Sequence, residues 1–138
     1  SVSRGLGDVY KRQSQIMEYT RENSMNTHAV PNYIIENTIQ YIVQNLAGNL
    51  SLDTIAQELH ISPSHLSRTF KKATSCSLTE YINKERIHKA KELLHNTDLL
   101  TYEIAEAVGY KDATYFSSIF RKYEGLSPSE YKTKFFVQ

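Results

Sequence analysis

A chain of 138 residues fits one ordinary domain or two very small ones, and its 40% apolar content, with five Phe and ten Tyr, is enough for a core. No apolar run reaches the about 18 residues that a membrane-spanning helix needs, so no membrane partner is expected. The single cysteine, Cys76, excludes an internal disulfide and any multi-cysteine zinc site, and the net charge of +1 does not by itself announce a nucleic-acid partner.

The first residues stand apart from the rest. Ser3-Arg4-Gly5-Leu6-Gly7-Asp8-Val9-Tyr10-Lys11-Arg12-Gln13 matches one reading frame of a transposon-type sequencing adapter. Residues 1–13 are therefore set aside as an adapter artefact. Without them the chain holds 13 basic and 14 acidic residues, a net of −1. An adapter in front implies an incomplete frame with natural sequence upstream. Residues 14–30 follow as a polar linker, with Asn23, Ser24, Asn26 and Thr27 and no sustained apolar period. A linker leading into ordered sequence suggests that a further domain once preceded it.

Residues 31–76 read as a first helix-turn-helix subdomain. Ile35, Ile39, Ile42, Val43 and Leu46 fall on one helical face, and Gly48 follows as a stop. Ser51 is a good N-cap for the next helix, whose inner stripe is Ile55, Ala56 and Leu59. His60-Ile61-Ser62 forms the turn. Ser62 caps the second helix and Pro63 takes its first position, where a missing N–H costs nothing. Leu66, Phe70 and Ala73 face inward, spaced four and three. Ser64, Arg68 and Lys71 occupy the opposite face, flanked by His65, Ser67 and Lys72. Cys76 lies in the turn that follows and reads as a plain buried or half-buried thiol.

Residues 77–96 read as a connecting helix capped by Ser77, with Tyr81, Ile82, Ile87, Ala90, Leu93 and Leu94 as its apolar positions. A helix of this length can hold two small subdomains at a fixed separation. Residues 97–138 read as a second helix-turn-helix subdomain. Thr101 or a neighbour caps its first helix, and Ile104, Ala105 and Val108 face inward. Gly109 makes the turn, where a left-handed backbone suits glycine. Asp112 caps the next helix. Phe116, Ile119, Phe120 and Tyr123 face inward, while Thr114, Ser117, Ser118 and Arg121 face outward beside Tyr115. Gly125 ends that helix and Ser127-Pro128 begins a short last one. The expected fold is all-α: two helix-turn-helix subdomains joined by a long central helix, a homeodomain-like pair.

The two subdomains are copies. Identities that recur at an offset of 50 include Ser67/Ser117, Phe70/Phe120, Lys72/Lys122, Ser77/Ser127, Glu80/Glu130 and Tyr81/Tyr131. The offset is 49 at Ile55/Ile104, so the second copy carries one extra residue near its turn. Core packing explains the Phe and Tyr pairs but not the matched lysines. Charge is sorted by element as well. Residues 59–79 contain no acid, whereas Asp53, Glu58, Glu103 and Glu106 sit on the first helix of each pair.

That sorting suits DNA. The second helix of a helix-turn-helix presents its N-terminal part to base edges in the major groove. Arg68 can donate two hydrogen bonds to a guanine edge, and Ser64, His65 and Ser67 can make single ones. Lys71, Lys72, Arg121 and Lys122 lie further along and suit phosphates, which position without specifying. Thr114, Tyr115, Ser117 and Ser118 offer mixed polar and apolar contacts, including to a thymine methyl. With no arginine leading the second reading face, the first unit is expected to discriminate more. Taken alone, each feature has a plainer reading: the lysine pairs as solvated charge, Arg68 as a surface ion pair, His65 as an idle side chain, Tyr115 as core. The competing functional reading is a helical protein-interaction module without DNA binding, against which the acid-free stretch 59–79 argues.

Nothing points to catalysis, a metal or a cofactor. There is no glycine-rich phosphate loop, no His-Glu-x-x-His and no recognisable carboxylate pair. His88 and His95 share one side of a helix but lie two turns apart, too far for one metal.

From about Ile35 to Phe135 the chain resembles the DNA-binding region of the AraC/XylS family of bacterial transcription regulators. The resemblance rests on Ser62-Pro63-Ser64-His65-Leu66-Ser67-Arg68-Thr69-Phe70-Lys71 and on Arg86-Ile87 with Ala90-Lys91-Glu92-Leu93-Leu94. It also rests on Ile104-Ala105, Val108-Gly109-Tyr110, Tyr115-Phe116-Ser117, Phe120-Arg121-Lys122 and Gly125-Leu126-Ser127-Pro128-Ser129-Glu130-Tyr131. It implies two helix-turn-helix units docking in successive major-groove segments of promoter DNA. Ser64, Ser67 and Arg68 would then read bases from the first unit, and Thr114, Ser117 and Ser118 from the second. It further implies a cytoplasmic, nucleoid-associated regulator, more readily an activator than a repressor, with RNA polymerase as a second partner. Many members carry an N-terminal sensor or dimerisation domain and others are single-domain activators; the polar lead and the adapter favour the former.

Overall fold

Capping chemistry and apolar spacing divide the chain into helices, and the computed structural model describes them over residues 29–136. The adapter stretch, 1–13, and linker residues 14–28 lie outside the described residues. Among the described residues there are seven α-helices and no strand. They are α1 (Ala29–Gln44), α2 (Leu52–Glu58), α3 (Pro63–Thr74), α4 (Leu78–Asn96), α5 (Thr101–Ala107), α6 (Ala113–Glu124) and α7 (Pro128–Phe136). None is long and apolar enough to cross a membrane.

The chain divides into two compact units, the break falling inside α4. The first runs to Ile82 without residues 46–48; the second takes those three residues and continues from Asn83.

In the first unit α1 buries Ile35, Ile39 and Ile42 completely, as their spacing requires. Val43 and Leu46 are only half-buried, and the stripe is completed instead by Ile34 and Thr38. Thr38 can be buried because its hydroxyl donates to the Ile34 carbonyl at 2.7 Å, leaving no unpaired donor. The helix starts two residues before Pro31, which is tolerated in a first turn, where the N–H has no intrahelical partner. It stops before Gly48, where Asn45 donates both its backbone N–H and its side-chain amide to the Tyr41 carbonyl. Ser51 caps α2 by accepting from the Thr54 N–H at 3.1 Å, and Ser62 caps α3 by accepting from the His65 N–H at 3.1 Å. Ile55, Leu66 and Phe70 are fully buried, and Ala56 is nearly so. Each of the larger side chains contributes about 1.5–3 kcal/mol on burial.

The second unit repeats the plan around Ile87, Ala90, Ile104, Ala105, Val108, Phe116 and Phe120. Asp112 caps α6 as expected, its carboxylate accepting from the Thr114 N–H at 2.8 Å. The cap of α5 is different in kind. Leu100 occupies the N-cap and has no acceptor, so the polar contact comes from Glu103, whose carboxylate accepts from the Leu100 N–H at 2.9 Å.

The copies share their turns and their stacking. The residue after each turn donates back to the first helix: Ile61 N–H to the Ala56 carbonyl at 3.0 Å, and Tyr110 N–H to the Ala105 carbonyl at 2.8 Å. Ser77 and Ser127 accept from the N–H of Glu80 and Glu130, each at 3.1 Å. Phe70 meets Tyr81 edge-on with centroids 5.4 Å apart, and Phe120 meets Tyr131 the same way at 5.5 Å. Since Ile61 pairs with Tyr110 but the N-cap Ser62 pairs with Asp112, the extra residue of the second copy is the exposed Lys111.

Candidate nucleic-acid interface

Burying Leu66 and Phe70 decides what α3 shows to solvent. The other side carries Ser64, His65, Ser67, Arg68, Lys71 and Lys72, all exposed. Among the described residues, none of the three cations forms an ion pair. The cap of this helix, Ser62, is neutral, so the positive end of its dipole is uncompensated, while Lys71 and Lys72 sit favourably in the last turn. The face therefore carries three cations and no acid. The acids of α2, Asp53 and Glu58, are also exposed but belong to a different element.

On α6 the burial of Phe116 and Phe120 turns Thr114, Tyr115, Ser118, Arg121 and Lys122 outward, all of them exposed. Ser117 sits nearer the core and is half-buried. Three contacts temper this face relative to that of α3. Ser118 donates its hydroxyl to the Tyr115 carbonyl at 3.0 Å. Arg121 approaches the Glu130 carboxylate of α7 at 3.6 Å, both side chains remaining largely exposed. Asp112, at the N-cap, places a negative charge at the dipole end where a phosphate would dock.

Tyr115 is not core: it is 52% exposed. Its ring meets the buried Tyr110 edge-on at 6.0 Å. Tyr110 is held in turn. Its hydroxyl donates to Asn83 Oδ1 at 2.7 Å, and the Arg86 guanidinium lies over its ring at 5.4 Å. Burial pushes the Tyr110 hydroxyl well above the usual phenol range, Arg86 opposing this more weakly, so it remains a donor at any working pH.

Sequence reasoning gave Arg86 no role, and its work is structural. Its Nε donates to the Leu46 carbonyl at 3.0 Å and its Nη2 to the Gly48 carbonyl at 2.9 Å. These are backbone acceptors left over after α1 ends, bound by a side chain some forty residues later. No local pattern encodes that pairing. Glu130 was legible as a repeat of Glu80, but its approach to Arg121 depends on how α7 packs. Among the described residues no group of His, Cys, Asp and Glu is arranged to hold a metal.

Comparison with known proteins agrees with this arrangement. A family profile described as a helix-turn-helix domain matches residues 55–134. The bifunctional transcriptional activator/DNA repair enzyme AdaA of Bacillus subtilis is 39% identical over 93 residues, covering 67% of this chain and 44% of that protein. The C-terminal domain of AraT, a response regulator from Geobacillus stearothermophilus, superposes with a TM-score of 0.72 at 39% identity, covering 73% of this chain and 84% of that one. A transcriptional regulator of AraC-type DNA-binding-domain proteins from Chromobacterium violaceum superposes with a TM-score of 0.69 at 25% identity, covering 78% and 96%. The chain spans less than half the length of the first curated relatives it matches.

Proposed function

The chain belongs to the AraC-type helix-turn-helix family of transcription regulators, and from that premise we propose that α3 and α6 each read one of two successive major-groove segments of promoter DNA. The observation that carries this reading is the outer face of α3: three exposed cations without an acidic partner among the described residues, on a helix whose inner side is buried. Arg68 specifies a guanine, with Ser64, His65 and Ser67 adding single hydrogen bonds. Thr114, Tyr115, Ser117 and Ser118 read the second segment through softer contacts. Lys71, Lys72, Arg121 and Lys122 bind phosphates and set the register.

The sign of regulation we assign is activation, with RNA polymerase as the second partner, in the bacterial cytoplasm. The activator role in AdaA's name supports that choice. The greater length of the relatives supports a longer regulator, in which a sensor or dimerisation domain precedes this region. No catalytic step, metal or cofactor is assigned to it.

Selection from a randomised duplex library tests the reading. The chain should enrich a motif of two blocks about 10 base pairs apart, the spacing of successive major-groove segments. Its affinity should fall steeply with salt as counterions are released. Failure to enrich any motif, or binding indifferent to salt, would overturn it.

A further inference from the structure

The geometry points to Tyr110 as a positioning residue that fixes the ring of Tyr115 as a specificity element of the second reading helix; this rests on the DNA reading above and deepens it. The observation is that Tyr115 is exposed at the third position of α6, yet its ring packs edge-on against Tyr110, 6.0 Å away with planes at 61°.

Tyr110 can act as a wall because it is itself immobilised. Asn83 takes its hydroxyl, Arg86 covers its ring, and Phe116 packs against it with centroids 5.5 Å apart. It is only 5% exposed. Tyr115 packs edge-on against a ring held in this way. An unsupported surface tyrosine would sample several rotamers and lose entropy on contacting a base. Packing against Tyr110 restricts that freedom before any base is met. Its exposed part is an apolar ring with a polar tip, which suits a thymine methyl and the adjoining backbone.

The first unit lacks this device. The matching positions are Ile61 and His65, where no aromatic contact forms among the described residues. The second unit has no arginine at the place of Arg68. A preset aromatic there supplies discrimination by shape where the first unit uses charge.

Four variants of the full chain test this: Tyr115→Ala, Tyr110→Leu, Tyr110→Phe and the double variant Tyr110→Leu/Tyr115→Ala. In library selection Tyr115→Ala should lower preference at one or two adjacent positions of one block by roughly threefold to tenfold, the scale of one aromatic contact. Tyr110→Leu should flatten the same positions, Tyr110→Phe should retain them, and the double variant should be no worse than Tyr115→Ala alone. The salt slope should not move, since no charge is removed. Additive losses, a uniform loss across all sequences, or flattening at different positions would overturn the positioning role. A second readout needs no DNA. In the free protein the ring protons of Tyr115 should show a ring-current shift that Tyr110→Leu abolishes and Tyr110→Phe keeps. Identical Tyr115 shifts in the parent and Tyr110→Leu chains would overturn the packing argument even if DNA is bound. A normal ring-current result with no motif enriched by the parent chain would instead overturn the DNA reading, and the specificity role with it.

Discussion

The two helix-turn-helix units place the same backbone turns in different chemical hands. Each has a left-handed residue between its two helices and another at the end of its reading helix. In the second unit both are glycine, Gly109 at φ 104° and Gly125 at φ 80°. In the first they are His60 at φ 58° and Ser75 at φ 59°, which carry a β-carbon in a conformation that disfavours one. The reading faces differ in the opposite sense. The first presents cations without acidic partners among the described residues; the second presents a propped tyrosine, an engaged serine and an arginine beside Glu130. The repeat therefore preserves the fold while dividing the labour. On the proposed reading, the unit with the more comfortable backbone would be the softer reader and the unit with the strained turns the sharper one.

The largest effect that would test this division is at Gly109. A β-carbon there would lie 2.7 Å from the Leu46 carbonyl oxygen and 2.8 Å from Arg86, in addition to the backbone strain. Gly109→Ala should cost about 3 kcal/mol in urea unfolding. Gly125→Ala meets nothing within 4 Å and should cost only the strain, about 1 kcal/mol. Equal losses at the two glycines would show that the crowding around Gly109 does not matter.

Next comes Arg86, the side chain that Gly109 makes room for. Arg86→Ala removes two charge-assisted hydrogen bonds and the contact with Tyr110, and should destabilise by about 2–3 kcal/mol. Arg86→Lys keeps the charge but not the fork that reaches two carbonyls, and should recover less than half of the loss in thermal unfolding.

These two residues also mark where the sequence stops being legible. Caps at Ser51, Ser62 and Asp112 announce themselves, because a capping bond spans two or three residues. The buried stripes of α3 and α6 follow from spacing alone, and so does the exposure of Ser64, Arg68 and Lys71. Gly109 is legible because glycine signals its own conformation. His60 and Ser75 are not, since neither residue type does so; only their alignment with Gly109 and Gly125 through the repeat could have exposed them. Arg86 and the Arg121–Glu130 pair are illegible for a different reason. Their partners arrive through tertiary packing, which no local period records. Ser117 falls between these cases: its place on α6 was clear, but its half-burial depends on how closely the neighbouring helix approaches.

On the reading faces the larger effect belongs to the first unit. Arg68→Ala should cost about 2 kcal/mol of binding to the preferred duplex and relax one base position, measured by competition with single-substituted duplexes. Ser118→Ala, whose hydroxyl already bonds within its helix, should cost well under about 1 kcal/mol. A reversal of that order would make the second unit the stricter reader.

The strained caps should yield a gain. Ser75 is exposed, and its N–H closes α3 on the Lys71 carbonyl at 2.8 Å, as Gly125 closes α6 on that of Arg121. Ser75→Gly keeps that bond and relieves the β-carbon, partly offset by glycine's greater freedom when unfolded. Stability should rise by up to about 1 kcal/mol in thermal unfolding. A loss would mean that what the Ser75 side chain contributes outweighs the relief of backbone strain.

The smallest effect separates the phosphate contacts proposed for the two units. Lys71 and Arg121 occupy matching places, and so do Glu80 and Glu130, yet only Arg121 and Glu130 approach each other among the described residues. In the second unit the arginine must leave an existing partner to reach a phosphate; in the first the lysine need not. Glu130→Gln frees Arg121 and should tighten DNA binding by less than about 1 kcal/mol at low salt, the range of an exposed ion pair. The gain should fade as salt screens it. Glu80→Gln removes the same charge at the matching place and serves as the control, since general repulsion from DNA changes alike in both. Only the difference between the two variants reports the ion pair. If binding tightens equally, Arg121 is as available as Lys71, and the second unit's softness lies in its base contacts alone.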